Sequence, residues 1–145
     1  MQFQLLPVIA ALLAATSASP VASKLDTRGS INDCGDSTFE NQSSDGSPNI
    51  SDCQQIATNI AGGGTWTVAV GQHQLVQYGT CAFGVTPEDS LNYAYIGNQD
   101  IIDVINASIQ KFSYNGKVGA KGVMGCQSGQ GEVSGDEVTW GIYHT

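Results

Sequence analysis

Ser51-Asp52-Cys53-Gln54-Gln55-Ile56-Ala57-Thr58-Asn59-Ile60, then Gly62-Gly63-Gly64, then Thr65-Trp66-Thr67-Val68: across this stretch the apolar period changes from helical to extended. Cys53, Ile56, Ala57 and Ile60 recur at i, i+3, i+4 and i+7, which is one face of a helix. Ser51 with Gln54 three residues later has the form of a capping box. The glycine run stops the helix. Trp66, Val68 and Val70 then alternate with Thr65, Thr67 and Ala69, as in a strand with one buried face.

Moving toward the C-terminus, Gly71-Gln72 reads as a turn. A long strand is expected from Gln74 to Val85. Leu75, Cys81, Phe83 and Val85 share one parity, Val76, Tyr78 and Ala82 the other, and Gly79 marks a bulge. Thr86 to Gly97 reads as a loop. Asn98 then caps a second helix, with Asp100 in the first turn, where the helix dipole favours an anion. Its apolar face is Ile101, Ile102, Val104, Ile105, Ile109 and Phe112. Asn115-Gly116 is a turn signal. Two strands close the chain. One runs from Val118 to Cys126, with Val118, Ala120, Met124 and Cys126 on one side. The other runs from Glu137 to Tyr143, with Val138, Trp140 and Ile142 inward.

Helix, two strands, helix, two strands predicts an α+β fold. The expected form is an antiparallel sheet of about four to five strands with two helices packed on one face, an α/β sandwich held by two disulfides.

Toward the N-terminus, residues 33–49 are rich in Ser, Asn, Asp and Gly and read as an irregular segment pinned by Cys34. Residues 19–32 read as a flexible leader. Residues 1–18 carry no charge, are apolar from Leu5 to Ala15, and end in Thr16-Ser17-Ala18. This is the pattern of a secretory signal peptide, too short for a membrane span. Cleavage is expected after Ala18, or near Ala22 or Ser23. Residues 33–145 then form one domain of a secreted, extracellular protein.

Composition narrows the function. Thirteen acidic against five basic residues give a net charge of −8. Such a chain repels nucleic acid and anionic lipid at long range, and no basic patch or second membrane-length run is present. The four cysteines, Cys34, Cys53, Cys81 and Cys126, lack the C-x-x-C spacing of zinc sites, and an even number in a secreted domain implies two disulfides. Three connectivities remain open. Cys53 on the core face of the first helix and Cys81 on the Leu75/Phe83 face make Cys53–Cys81 feasible, with Cys34–Cys126 as its complement. Asn41, Asn49 and Asn106 each head an N-x-[ST] sequon.

No catalytic constellation assembles from the sequence. Gly35-Asp36-Ser37 has the look of a hydrolase nucleophile block, but such enzymes place an Asp three residues before the catalytic His, and Gly141 holds that place before His144. His73 and His144 read as surface histidines, with little positive charge around them to serve phosphoryl transfer. Asp33, Asp36 and Glu40 lack the spacing of a calcium loop. No catalytic, cofactor or metal residue is expected, and the chain reads as a binding protein, not an enzyme. Trp66 and Trp140 are in phase with apolar neighbours and read as core. Tyr93 and Tyr95, in the acidic loop, read as a contact loop.

Several blocks together resemble a known family. They are Asp33-Cys34-Gly35-Asp36-Ser37-Thr38-Phe39, the Ser51–Ile60 helix, Gly64-Thr65-Trp66-Thr67-Val68 and Tyr78-Gly79-Thr80-Cys81-Ala82-Phe83-Gly84-Val85. Ile96-Gly97-Asn98-Gln99-Asp100-Ile101-Ile102, Val118-Gly119-Ala120-Lys121-Gly122 and Trp140-Gly141-Ile142-Tyr143-His144 complete them. The pattern is similar to the fungal extracellular effectors described as necrosis-inducing factors. The resemblance implies a secreted fungal virulence protein acting in the plant apoplast, whose members provoke host cell death or are recognised by host receptors. It implies a plant host protein or receptor as partner and carries no catalytic residue. The same domain type occurs fused to chitinases that look like killer toxins; with the chain ending at Thr145, that arrangement is not expected here. A more distant likeness, through Ile31-Asn32-x-Cys34 and Cys81-Ala82-Phe83, is to small fungal killer toxins with an α/β sandwich. It implies Cys34–Cys126 and an alternative role as a toxin against competing microbes. A small secreted hydrolase is the third reading. The protein is expected to act as a monomer, without cofactor, nucleic acid or membrane.

Overall fold

The computed structural model describes residues 29–89, 92–129 and 135–145. The expected signal peptide and the first part of the expected leader lie outside the described residues. The elements are β1 (Cys34–Ser37), β2 (Glu40–Asn41), α1 (Ile50–Ile60), β3 (Thr65–Val68), β4 (His73–Tyr78), β5 (Cys81–Pro87), β6 (Ala94–Gly97), α2 (Asn98–Phe112), β7 (Ala120–Ser128) and β8 (Asp136–His144).

The sheet has eight strands instead of the expected four to five, in the order β3-β6-β7-β8-β5-β4, with β1 and β2 also paired to β7. The neighbours named along this order pair antiparallel. Strand β8 takes one edge of β7 from Ala120 to Cys126. The other edge is shared end to end. Glu40 and Asn41 pair with Lys121 and Ala120, Cys34 with Cys126, and Tyr95 with Gln127. The backbone N–H of Gln127 donates to Asp33 O and that of Gly129 to Tyr93 O, so β1 and β6 lie along the same side of β7. The unforeseen strands β1, β2 and β6 hold two to four residues each. A strand that short shows almost no period of its own; its existence is decided by the distant partner that accepts its hydrogen bonds.

The expected single strand from Gln74 to Val85 is a hairpin. Gly79 adopts φ +52° and, with Thr80, turns the chain back so that Tyr78 pairs with Cys81. Positive φ at a two-residue hairpin turn favours glycine. The expected caps also move. Helix α1 starts at Ile50, and its N-cap Asn49 makes no side-chain cap bond. Ser51 is therefore inside the helix, and the Ser51–Gln54 box does not form. Asp52 in the first turn accepts instead from Thr80 N (2.9 Å) and Thr80 Oγ1 (2.7 Å), fastening the β4–β5 turn to α1. Asn98 is the first residue of α2, not its cap, and Gly97 caps. Buried Asn98 accepts from Ile31 N and donates to Gly29 O and Ile60 O. The end of the expected flexible leader is thus fastened to the body of the fold.

One core collects the inward faces of both helices and the sheet. Cys53 and Ile56 of α1, Ile101, Val104 and Ile105 of α2, Phe83 and Val85 of β5, Met124 of β7, and Val138 and Trp140 of β8 are all buried in it. Phe39 packs edge-on against Trp140 and Phe83 stacks beside it, at centroid distances of 5.5 and 6.2 Å. Each such aromatic or branched side chain contributes roughly 1.5–3 kcal/mol by leaving water. Trp66 is partly buried at the margin of this core, and Val70, beyond the end of β3, is 49% exposed. Two disulfides, Cys34–Cys126 and Cys53–Cys81, join β1 to β7 and α1 to β5.

Candidate functional site

The long connection before α1 lays β1 along the rim of the sheet, facing α2. Between them is a groove of about 360 Å³. Phe39, Val104, Ala107 and Met124 supply its apolar lining, and Asp36 and Asp103 stand exposed at its edge. Asp100 closes one end. Its Oδ2 accepts from the backbone N–H groups of Asp33 (2.7 Å), Gly97 (2.8 Å) and Cys34 (3.2 Å), joining the start of β1 to the N-terminus of α2. Burial pushes this carboxyl above the usual carboxylate range; the three N–H donors pull it back, and the charge of Asp33 adds to the upward push. The groove is therefore an acidic-rimmed concavity with an apolar floor.

The hydrolase-like block lies along this groove, but Ser37 is structural. Its Oγ accepts from Trp140 Nε1 (2.7 Å) and donates to Thr38 O (2.8 Å). Ser37 pairs with Met124, which faces Val138, whereas His144 faces Cys81 at the other end of β8. Six residues of strand, about 20 Å, separate those positions along β8. His144 Nδ1 stands against Thr145 O, and His73 Nε2 against Val70 O. The fold does not bring the serine and either histidine together.

The acidic residues of the first loop also part. Glu40 pairs with Lys121 at 3.4 Å, and Asp33 accepts from Thr65 Oγ1. Among the described residues no three His, Cys, Asp or Glu side chains converge as a metal site, and no helix is long and apolar enough to cross a membrane.

Tyr93 and Tyr95, expected in one contact loop, do not lie in the same loop. Tyr93 is 56% exposed, but Tyr95 lies in β6, half-buried opposite Thr67. Sequence reasoning missed the exposure of Tyr78 beside the hairpin turn and of Tyr114 beside Asn115-Gly116. The adjoining turn signals were the available clue. Asn41, Asn49 and Asn106 are all exposed. Asn41 Oδ1 accepts from Ser43 N, and the Asn106 sequon lies within α2 with its Ser108 fully buried.

Comparison with known proteins bears on this geometry. Residues 33–126, from the residue before β1 through Cys126 and so including both disulfides, match the family Hce2, described as "Pathogen effector; putative necrosis-inducing factor". Two curated relatives come from Penicillium expansum. The chain is 38% identical over 120 residues to "Probable chitinase LysM18", covering 78% of this chain and 8% of that protein. It is 34% identical over 113 residues to "Secreted chitinase LysM12", covering 74% of this chain and 7% of that protein. The chain thus spans less than a tenth of the length of these relatives. By the match across its disulfide-linked body, this chain belongs to the Hce2 family of pathogen effectors.

Proposed function

We propose that this chain is a secreted effector that binds a plant host protein in the apoplast and promotes necrosis of host tissue. The observation that carries the reading is the family match over residues 33–126. The fold is consistent with it: a disulfide-braced body presents a preformed groove between β1 and α2, and the serine of the one hydrolase-like motif is occupied in holding Trp140. The protein acts by contact, not by turnover. A positively charged segment of the host partner would meet Asp36 and Asp103 at the groove edge.

The test is leaf infiltration with purified mature protein beside a reduced and alkylated control. Necrosis from the folded form alone supports the reading. The double variant Asp36→Lys/Asp103→Lys should keep the thermal stability of the wild type and lose the response. An unchanged response would remove the groove from the proposal.

A second reading is a toxin aimed at competing microbes. What favours it is the pair of relatives named as chitinases, in which the matching region is a small part of a much longer protein. Growth inhibition of fungi by the purified protein, with no leaf response across several host genotypes, would replace the first reading with this one.

A further inference from the structure

Helices α1 and α2 lie side by side, and their outer shoulders bound an open groove of about 590 Å³. Gln54, Ala57 and Ala61 line it on the α1 side, Gln99, Ile102 and Asn106 on the α2 side. Ala57 and Ile102, expected on inward faces, are only half-buried and contribute to this lining. No charged side chain lines the groove, although the chain has a net charge of −8. An ion would lose its hydration there without gaining an opposite charge. A sugar fits both parts of the lining, with C–H faces for the alanines and isoleucine and hydroxyls for the amides.

Asn106 heads the sequon Asn106-Ala107-Ser108. It is exposed, and its amide makes no hydrogen bond among the described residues. Ser108 is fully buried, and its Oγ has no hydrogen-bond partner either. A buried hydroxyl without a partner is destabilising. No contact of the folded state accounts for it; the sequon does, because N-glycosylation requires that hydroxyl two residues after the asparagine. The Asn41 sequon differs, since Ser43 Oγ donates to Phe112 O and accepts from Gly119 N in the fold. Glycan transfer acts on the chain before it folds, so neither the helix nor the burial of Ser108 blocks it. Helical side chains lean toward the helix N-terminus, which directs a group on Asn106 Nδ2 back over Ile102 toward Gln99. The rise from Gln99 to Asn106 is about 10 Å, room for the first two sugars.

We infer that Asn106 carries an N-linked glycan and that its first two sugars seat in the α1–α2 groove. The modification joins Nδ2 to C1 of an N-acetylglucosamine. The donor is a lipid-linked oligosaccharide diphosphate; the lipid diphosphate departs and Nδ2 gives up one proton. Seated, the sugar covers Ala57, Ala61 and Ile102, apolar surface that the two helices leave open to water. Its hydroxyl and acetamido groups meet the amides of Gln54 and Gln99. The inference rests on the reading of the chain as a protein secreted by a eukaryote. An expression host that supplies its own secretion signal keeps the two questions apart.

The test secretes residues 19–145 from yeast behind a yeast signal sequence and measures intact mass before and after PNGase F. Peptide mapping should find the released glycan at Asn106, where release converts Asn to Asp. Asn106→Gln and Ser108→Ala should each lose that glycan and melt about 3 °C below the glycosylated protein, the scale of one modest contact in a domain this size. Made without glycans in an oxidising bacterial compartment, Ser108→Ala should melt no lower than the wild type, because its hydroxyl has no partner to lose. An Asn106 without sugar overturns the inference. A glycan on Asn106 whose loss leaves Tm unchanged overturns the seating and gives the groove to another occupant. A lower Tm for bacterial Ser108→Ala would assign the hydroxyl a structural role and overturn the argument drawn from it.

Discussion

The two disulfides differ in what their loss should cost, and the structure lets chain entropy and packing be told apart. Cys34–Cys126 closes a separation of 92 residues and Cys53–Cys81 one of 28. The loop-entropy relation gives about 4.6 kcal/mol for the first and about 3.6 kcal/mol for the second at 25 °C. Packing ranks them the other way. Cys53 and Cys81 are almost wholly buried between α1 and β5, whereas Cys34 is only partly buried. Cys34→Ala/Cys126→Ala should therefore lower stability more than Cys53→Ala/Cys81→Ala, by about 1 kcal/mol. In equilibrium urea unfolding that is a midpoint lower by about 0.7 M, at a slope typical of a domain this size. Free thiols in each variant should be absent before unfolding begins. A lower midpoint for Cys53→Ala/Cys81→Ala would refute the argument. It would mean that the seating of α1 on the β4–β5 hairpin, not closure of the long loop, dominates the contribution of these bridges.

Other outcomes follow from single contacts. Gly79→Ala should destabilise by about 1–3 kcal/mol in the same assay, because the backbone is left-handed there and a Cβ would meet the Asp52 carboxylate at 2.6 Å. The bonds from Thr80 N–H and Oγ1 hold the Asp52 carboxyl below its ordinary range. A carboxylate depressed in the fold adds stability above its unfolded value, near 3.9, and loses it as pH falls through the folded value. The wild-type advantage over Asp52→Ala should therefore shrink on acidification below about pH 4, read as converging Tm values. Asp100→Ala strands three backbone N–H donors and should cost about 3 kcal/mol, with hydrogen exchange rising first at Asp33, Cys34 and Gly97.

Periodicity alone determined the two helices, the inward faces of β5, β7 and β8, and the α+β class. Each rests on a run long enough to repeat: Cys53, Ile56 and Ile60 along α1, or Val138, Trp140 and Ile142 along β8. The family resemblance was likewise legible, in blocks that pack against one another in the fold. What the tertiary structure decided was everything that depends on a distant partner. Gly79 is a turn and not a bulge because Asp52, on another element, holds Thr80. Strands β1, β2 and β6 exist because the free edge of β7 accepts them, and Ser37 is structural because Trp140 reaches it from β8. The pairing of Glu40 with Lys121 was likewise invisible in the sequence, since strand register, set by backbone hydrogen bonds along the ladder, brings together residues that no local pattern connects.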